Sequence, residues 1–377
     1  MVHTRPQIDK ISMYSPGKPV EELKREKGLS RIVKMASNEN PFGYSPLAAE
    51  AIRAEMKEIP LYPEVTSPLL AEKLANKLGV SPNQIVFGNG SDEIIRLLTR
   101  TYINEGDEVV MARVTFPRYK PNVIIEGGVP VEVKMLEGGR HDLTEMAAAI
   151  NEKTKMVFVC NPNNPTGTIV DKASLKEFIQ QVPSHVLLVM DEAYYEYADS
   201  DEYLETLPLL HQHKNMVVLR TFSKVYGLAG LRVGYGLMDA EMVKALHKVK
   251  EPFNVNRLAQ AAASASLDDD EFLHESIRLN QQGREYLIQQ FKEMKLDYFK
   301  SQTNFIMVDI AAPAEEVYEF LLNLGVIIRP GHLMGYPTMI RVTIGEQKDN
   351  HYFIDGLKAY LENYRMNEKE VKSDEHA

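Results

Sequence analysis

Three short strings combine residue types that can do chemistry on a carbonyl or an amine: NPNNPTG at 161–167, DEAYYEY at 191–197 and TFSK at 221–224. The lysine of the third string, Lys224, begins a glycine-rich and mostly apolar segment, KVYGLAGLRVG. A lysine amine in such a setting can have its pKa lowered and can form a Schiff base with a carbonyl. An isolated Ser-Lys pair is common beside surface turns, so it is the longer string that favours a reactive amine.

Each string follows a β-branched apolar run, and the runs are Lys155–Cys160, His185–Met190 and Met216–Arg220. Their ends are about thirty residues apart, the length of a strand-helix-strand unit, and segments 171–181 and 202–213 have the helical character of crossovers. Continuous apolar runs are typical of buried parallel strands. Because open α/β sheets bind ligands outside the carboxyl ends of their strands, we expect the three strings to meet in one crevice.

After about residue 255 the pattern changes to long helical stretches with isolated strand-like pieces. We expect a helix over 257–295, strands at Asn304–Asp309 and Ile340–Ile344, and further helices at 314–324 and 349–363. A chain of 377 residues exceeds what one core usually organises. The predicted organisation is an N-terminal extended arm at 1–30, a large mostly parallel α/β sheet domain at 31–255, a smaller α+β domain at 256–365 and a polar tail at 366–377.

The order and spacing of the three strings resemble the asparagine loop, the aspartate motif and the cofactor-lysine motif of the fold-type I pyridoxal-phosphate aminotransferases. The resemblance implies that fold, a pyridoxal 5'-phosphate cofactor and amine transfer. It implies that Lys224 binds the cofactor covalently and moves a proton between the substrate α-carbon and the cofactor. It also implies that Asp191 pairs with the pyridine nitrogen, and that Asn164 and Tyr194 hydrogen-bond the ring hydroxyl.

The segment FGNGSDEIIRLL places a glycine turn between a strand at Ile85–Phe87 and the start of a helix. Backbone amides at a helix N-terminus bind anions, although Ser91 and Asp92 are equally good N-cap residues. The turn lacks the third glycine of a dinucleotide fingerprint. In the family that the chain resembles, the turn matching Gly90, Ser91 and Asp92 holds the cofactor phosphate, together with the positions of Ser223 and Arg232.

Two aromatic residues match family positions around the cofactor. Phe116, in VTFPRY, matches the residue that stacks over the pyridine ring, and a phenylalanine there can stack but cannot hydrogen-bond. Tyr62, in LYPEV, matches a tyrosine that reaches the phosphate of the neighbouring subunit. The resemblance therefore implies a homodimer with shared active sites.

The choice of amino donor depends on the arginines that would bind its anionic group. Arg341, in IRVTIG, matches the arginine that binds the substrate carboxylate in general aminotransferases, and Arg329 matches a second arginine of the histidinol-phosphate aminotransferases. Two arginines can share a phosphate. Tyr14, in YSPGKP, and Asn40, in NENP, resemble further substrate-binding positions of that group. The resemblance thus implies histidinol phosphate and glutamate or 2-oxoglutarate as substrates, in histidine biosynthesis.

Three alternatives share the fold. Aromatic amino acids can be substrates of the same apparatus, and a threonine-phosphate decarboxylase takes a phosphorylated substrate but releases carbon dioxide. The third is an effector domain of a transcription factor, which needs a DNA-binding segment ahead of the fold, where about thirty residues precede Met35.

Composition excludes other classes of protein. A net charge of -10 argues against a nucleic-acid partner. A single cysteine, Cys160, excludes an internal disulfide, and we expect no metal site, because His211 and His213 point to different faces of a helix. The N-terminus lacks a signal peptide and no run has transmembrane length. We therefore expect a cytoplasmic protein without a membrane partner.

Overall fold

The computed structural model describes residues 2–13 and 17–374, with side chains as far as residue 364. Its strands are β1 Val33–Lys34, β2 Ile85–Gly88, β3 Glu108–Ala112, β4 Val129–Val133, β5 Thr154–Cys160, β6 Leu187–Asp191, β7 Met216–Thr221, β8 Gly234–Leu237, β9 Phe305–Asp309, β10 Val326–Ile327, β11 Arg329–Pro330 and β12 Met339–Thr343. Its α-helices are α1 Val20–Lys27, α2 Pro46–Glu55, α3 Pro68–Leu78, α4 Ser91–Tyr102, α5 Tyr119–Ile125, α6 Leu143–Ala148, α7 Lys172–Gln181, α8 Ala240–His247, α9 Arg257–Ser266, α10 Asp270–Glu293, α11 Ala314–Asn323 and α12 Gln347–Asp374.

Within the described chain, seven strands form a large sheet in the order β2-β8-β7-β6-β5-β3-β4. Strand β8 runs antiparallel to β2 and β7, whereas the pairs from β7 to β4 are parallel. Apolar clusters cover both faces of this sheet. The α/β class and the mostly parallel sheet predicted from the sequence are confirmed.

The three predicted parallel strands are β5, β6 and β7, and they lie side by side in the sheet. Their residues are almost all buried, as expected for strands covered on both faces. Cys160 pairs with Asp191, and Asp191 pairs with Leu219. The carboxyl ends of the three strands therefore lie at one edge of the sheet.

The crossovers agree with the sequence only in part. Helix α7 covers the segment predicted at 171–181. The helix predicted at 202–213 is wrong, since that segment forms only a short 3-10 turn at Leu207–Leu209. The amide and hydroxyl of Thr206 both donate to a Glu192 carboxylate oxygen, at 2.7 Å each. This backbone amide is therefore committed to a side chain rather than to a helical carbonyl.

A second sheet is antiparallel and has the order β11-β12-β9. Helices α10, α11 and α12 pack around it in a separate apolar cluster. The single helix predicted over 257–295 is two helices, α9 and α10. Asp269 caps α10 by accepting a hydrogen bond from the Phe272 amide, so a new helix begins there. The last helix does not end near residue 363, as expected, but continues to Asp374.

The N-terminal arm is not extended throughout. It contains α1, which ends at Gly28 with a φ of 63°, a left-handed conformation that glycine adopts without strain. Leu23 of α1 is fully buried against Ala36, Leu322 and Ile327. Strand β1 pairs in parallel with β10. The beginning of the chain thus packs on elements from near its end.

Among the described helices, none combines the length and the apolar character needed to cross a membrane.

Candidate active site

Asp191 is the last residue of β6, and its carboxylate is buried at the edge where β5, β6 and β7 end. The Tyr119 hydroxyl donates a hydrogen bond of 2.7 Å to Asp191 Oδ2, and the Ala193 amide donates one of 3.2 Å to Oδ1. Burial raises the pKa of Asp191 to about 6, and the Tyr119 hydrogen bond opposes that rise. Each oxygen of this buried carboxylate therefore accepts a hydrogen bond that fixes its orientation.

Lys224 follows β7, the strand next to the one that ends in Asp191. Its Nζ lies 5.4 Å from the centre of the Tyr194 ring. Burial lowers the pKa of Lys224 to about 8, and the charge of Arg341 acts in the same direction. The neutral form of this amine is therefore far more populated near physiological pH than in an ordinary lysine, and a nucleophilic or basic lysine acts in that form.

Asn164 and Tyr194 are brought together, as predicted. The Tyr194 hydroxyl accepts hydrogen bonds from Asn164 Nδ2 at 3.4 Å and from Asn38 Nδ2 at 3.1 Å. Arg341, on β12 of the second sheet, donates to Asn164 Oδ1 at 2.6 Å and to the Ala36 carbonyl at 2.7 Å. The asparagine loop of the large sheet is thus tied to the second sheet at this point.

Arg329 lies directly opposite Arg341 in the antiparallel pair of β11 and β12. Residues that are directly opposite in such a pair project from the same face of the sheet. Arg341 is almost fully buried and Arg329 is half-buried. The two arginines therefore project from the same face of this sheet, and the charge of Arg341 acts on Lys224.

Gly90, the Arg232 guanidinium and Ser223 form an anion cradle at the N-terminus of α4. Arg232 Nη1 donates to Ser223 Oγ at 3.3 Å, and Nη2 donates to the Asn89 carbonyl at 3.4 Å. A Cβ at Gly90, where φ is 72°, would lie 2.4 Å from Arg232 Nη2, so a side chain there would displace the guanidinium. Asp92 Oδ2 lies 3.8 Å from the same nitrogen. Ser91 is the first residue of α4, and its backbone amide adds to the donors of the helix N-terminus.

Phe116 is half-buried before α5, and its ring meets the edge of Tyr119, with ring centres 5.5 Å apart. Tyr62 lies elsewhere, with 79% of its surface exposed and its ring stacked on Phe253 at 4.7 Å. Tyr14 lies outside the described residues. Asn40 uses its amide to donate to the Val225 carbonyl and to Ser276, so in this structure it holds a turn. A substrate contact by Asn40 stays a prediction.

Within the described residues, no group of three or more His, Cys, Asp or Glu side chains is placed to hold a metal ion. A lysine, an aspartate, an asparagine and a tyrosine instead surround one place at the edge of the sheet, with an anion cradle beside them. Arg341 donates to that asparagine, and Arg329 lies opposite Arg341 in the second sheet. The profile of the family described as "Aminotransferase class I and II" matches residues 30–357. The chain belongs to this family of aminotransferases.

Two relatives specify the resemblance further. A histidinol-phosphate aminotransferase of Caldicellulosiruptor saccharolyticus is 48% identical over 95% of this chain and 99% of its own length. One from Geobacillus sp. (strain WCH70) is 45% identical over 96% of this chain and 98% of its own. The resemblance to histidinol-phosphate aminotransferases that the sequence motifs carried is thus confirmed.

Solved structures show the same fold. The histidinol-phosphate aminotransferase of Sinorhizobium meliloti, solved in complex with pyridoxal-5'-phosphate, superposes with a TM-score of 0.89 at 29% identity, and the match covers 97% of this chain and 99% of that one. The aspartate aminotransferase of Thermus thermophilus with maleate gives a TM-score of 0.82 at 22% identity, covering 96% of this chain and 100% of that one. The second likeness shows the fold alone.

Two residues of this aminotransferase site did not emerge as site residues from the sequence. Asn38 donates to Tyr194, and Tyr119 donates to Asp191. Tyr119 follows Phe116 by three residues, which is close to one helical turn. That spacing was a usable signal for a second aromatic residue beside the first. Asn38 is the first residue of the NENP string that pointed to Asn40, but the string did not indicate its partner, because Asn38 reaches Tyr194 through a contact between residues 156 apart in the chain.

Proposed function

We propose that this aminotransferase uses pyridoxal 5'-phosphate bound to Lys224 and transfers an amino group from histidinol phosphate to 2-oxoglutarate. The observation that carries the proposal is that Arg329 lies directly opposite Arg341, the arginine whose charge helps to lower the pKa of Lys224. The named function of the relatives and the cofactor of the Sinorhizobium meliloti structure support it.

The residues present fit the cofactor at both of its ends. Arg232, Ser223 and the amides at the start of α4 are all hydrogen-bond donors, as a phosphate dianion needs. A Cβ at Gly234 would lie 2.6 Å from the Ser91 amide nitrogen, so this glycine lets the turn lie close. At the other end, Asp191 offers a carboxylate for a pyridine nitrogen.

When bound, pyridoxal phosphate supplies an aldehyde carbon that takes up an amine and a ring that accepts electrons from the substrate α-carbon. Lys224 would hold the group and would then, as a neutral amine, take the proton from the substrate α-carbon. Asp191 would keep the pyridine nitrogen protonated, while Asn164 and Tyr194 would hydrogen-bond the ring hydroxyl. Phe116 would stack on the ring.

The arginine pair accounts for two different substrates. Histidinol phosphate has a phosphate and no carboxylate, whereas 2-oxoglutarate has two carboxylates. Arg341 is already oriented by its bonds to Asn164 and Ala36, and Arg329 extends the cationic surface on the same face. Charge-assisted, bidentate contacts from guanidinium groups suit both anions. Tyr14 and Asn40 complete the proposed substrate contacts from the N-terminal side.

We further propose a homodimer in which Tyr62 reaches the phosphate of the partner's cofactor. Tyr62 lies in a surface segment with large apolar side chains that a soluble monomer rarely exposes together. Arg257 donates to the Tyr62 carbonyl at 3.1 Å, which fixes the backbone of this segment. The other exposed apolar residues of the segment are Met56, Ile59, Leu61, Val65 and Leu69.

We also propose a cytoplasmic location, which suits the free, buried Cys160.

An Arg329→Gln variant tests the choice of donor. We expect it to lower kcat/KM for histidinol phosphate by about ten- to hundredfold, because a hydrogen bond to a charged group is lost. Its effect on phenylalanine, which has no phosphate, should be several times smaller. The measurement is steady-state transamination with each donor.

An Arg278→Gln variant is the matched control, since Arg278 forms an exposed ion pair with Glu275. Equal losses on both donors would remove Arg329 from the role of phosphate ligand. Release of carbon dioxide from threonine phosphate would favour the decarboxylase instead.

A further inference from the structure

Tyr119 is a fully buried tyrosine that the mechanism above does not use. It begins α5, and its hydroxyl donates to Asp191 Oδ2 at 2.7 Å. One side of its ring stacks on Phe158, with centres 4.3 Å apart and planes at 6°. Its edge meets Phe116 at 5.5 Å. One side chain thus contacts both the residue proposed to pair with the pyridine nitrogen and the residue proposed to stack on the ring.

We propose that Tyr119 is a positioning residue for the cofactor ring. Its hydroxyl orients and stabilises the ionised carboxylate of Asp191, and its ring supports the Phe116 ring in the position from which it would stack on the cofactor. The proposal rests on the proposed function, because it assumes that Asp191 and Phe116 contact pyridoxal phosphate. It assigns to Tyr119 no contact with the substrate or with the reacting atoms.

The chemistry of the hydrogen bond sets its direction. Burial and the neighbouring Asp191 raise the pKa of Tyr119 well above its ordinary value, so the phenol keeps its proton and is the donor. A donor to an ionised carboxylate favours the ionised form. Asp191 needs such a donor, because burial alone would favour its neutral form.

The other groups that face Asp191 do not replace Tyr119. The Cys160 thiol of β5 has a pKa raised by burial and stays neutral. The carboxylates of Asp92, on α4, and Glu192, next in the chain, act against ionisation of Asp191. Tyr194 also has a pKa raised by burial, so its phenol stays neutral. Among the described residues, the other hydrogen-bond donor to Asp191 is the Ala193 amide, at 3.2 Å.

The backbone couples Tyr119 to Phe116. The Tyr119 amide donates to the Phe116 carbonyl at 3.3 Å, so the two residues belong to one tight turn that leads into α5. Stacking on Phe158, a residue of β5, fixes the Tyr119 ring against the sheet. The position of the Phe116 ring is therefore set from the sheet through Tyr119.

The test measures the dissociation constant of pyridoxal 5'-phosphate from the full-length apoenzyme between about pH 5 and about pH 9, on both sides of the Asp191 pKa. The wild type should lose affinity as the pH falls through about 6, where Asp191 becomes protonated. In Tyr119→Phe this loss should begin roughly one to two pH units higher. Incorporating 3-fluorotyrosine at position 119, a stronger donor of the same shape, should move it in the opposite direction.

The matched control is Tyr360→Phe, another buried tyrosine, whose hydroxyl has no hydrogen-bond partner among the described residues. The pH profile of Tyr360→Phe should equal that of the wild type. A double-mutant cycle with Asp191→Asn completes the design, since Tyr119→Phe should have little further effect on affinity once the carboxylate is gone.

The outcomes separate the two proposals. A wild type that does not bind pyridoxal phosphate defeats the proposed function. A wild type that binds it, with a Tyr119→Phe profile equal to that of the wild type, overturns only the role of Tyr119. So does an effect of Tyr119→Phe that persists in full in the Asp191→Asn background, because the hydrogen bond to the Asp191 carboxylate could not then be its cause.

Discussion

The Lys224 amine and the Asp191 carboxylate lie at the ends of strands one position apart in the sheet, and burial shifts both pKa values toward neutrality. Burial makes the lysine a weaker base and the aspartate a weaker acid, because each charged form loses its hydration. Asp191 keeps two hydrogen-bond donors that favour its charge. Lys224 instead lies near Arg341, whose charge favours the neutral amine.

The pH dependence of cofactor capture follows from the pKa of Lys224. Because only the neutral amine attacks the aldehyde of the cofactor, the capture rate of the apoenzyme should rise with pH and reach half its maximum near pH 8. Stopped-flow absorbance of apoenzyme mixed with pyridoxal phosphate measures this rate. In Arg341→Gln the midpoint should move to higher pH, since a nearby positive charge is removed. A midpoint near the ordinary lysine value in the wild type would contradict the account.

At the scale of elements, a buried ion pair joins β6 and β7 where they enter the site. Arg220 is fully buried, and its Nε and Nη2 both donate to Glu192 Oε2, at 3.0 and 2.7 Å. It also contacts Glu205 at 2.7 Å and lies 3.6 Å over the Tyr195 ring. Glu192 directly follows Asp191, and Arg220 lies four residues before Lys224. The pair therefore fixes the spacing of the two functional strand ends.

We expect Arg220→Met to lower the free energy of unfolding by about 3 to 5 kcal/mol, because the Glu192 charge is left buried without its partner. Urea unfolding of the apoenzyme measures the loss. Arg278→Met, which breaks an exposed pair, should change the free energy of unfolding by less than about 1 kcal/mol. Similar values for the two variants would show that the buried pair does not hold the strand ends.

The sequence predicted those elements that are marked by a pattern within their own segment. The runs before NPNNPTG, DEAYYEY and TFSK predicted β5, β6 and β7, and the strand-end positions of the three strings predicted that their side chains lie at one edge of the sheet. The helix prediction at 202–213 was wrong, because the Thr206 amide donates to Glu192, a tertiary contact that no local pattern reveals. The contact between Asn38 and Tyr194 and the α1 packing of the arm depend on chain segments that are distant in sequence.

At the scale of the whole molecule, the proposed role of Tyr62 implies that two subunits build each site. Its side chain is exposed and stacked on Phe253, and Leu69 nearby is 77% exposed. The proposed homodimer covers this segment and carries Tyr62 to the partner's cofactor phosphate.

Subunit hybrids test the shared site. A mixture of Lys224→Ala and Tyr62→Ala chains should recover activity, because one site of each hybrid dimer combines an intact Lys224 with an intact Tyr62 from the other chain. The recovery should approach one active site per hybrid dimer, measured after separation of differently tagged chains. If Tyr62 instead acts within its own chain, both sites of the hybrid are defective, and no recovery is expected.

The most direct test of the proposed amine transfer is the half-reaction of purified holoenzyme with histidinol phosphate, followed by stopped-flow absorbance of the bound cofactor. The account predicts conversion at lower concentrations of histidinol phosphate than of phenylalanine or threonine phosphate, without release of carbon dioxide. It also predicts that Lys224→Ala slows the step by at least about a thousandfold, while Lys176→Ala, at an exposed position on α7, leaves it unchanged. Faster conversion with phenylalanine, or a wild-type rate in Lys224→Ala, would contradict it.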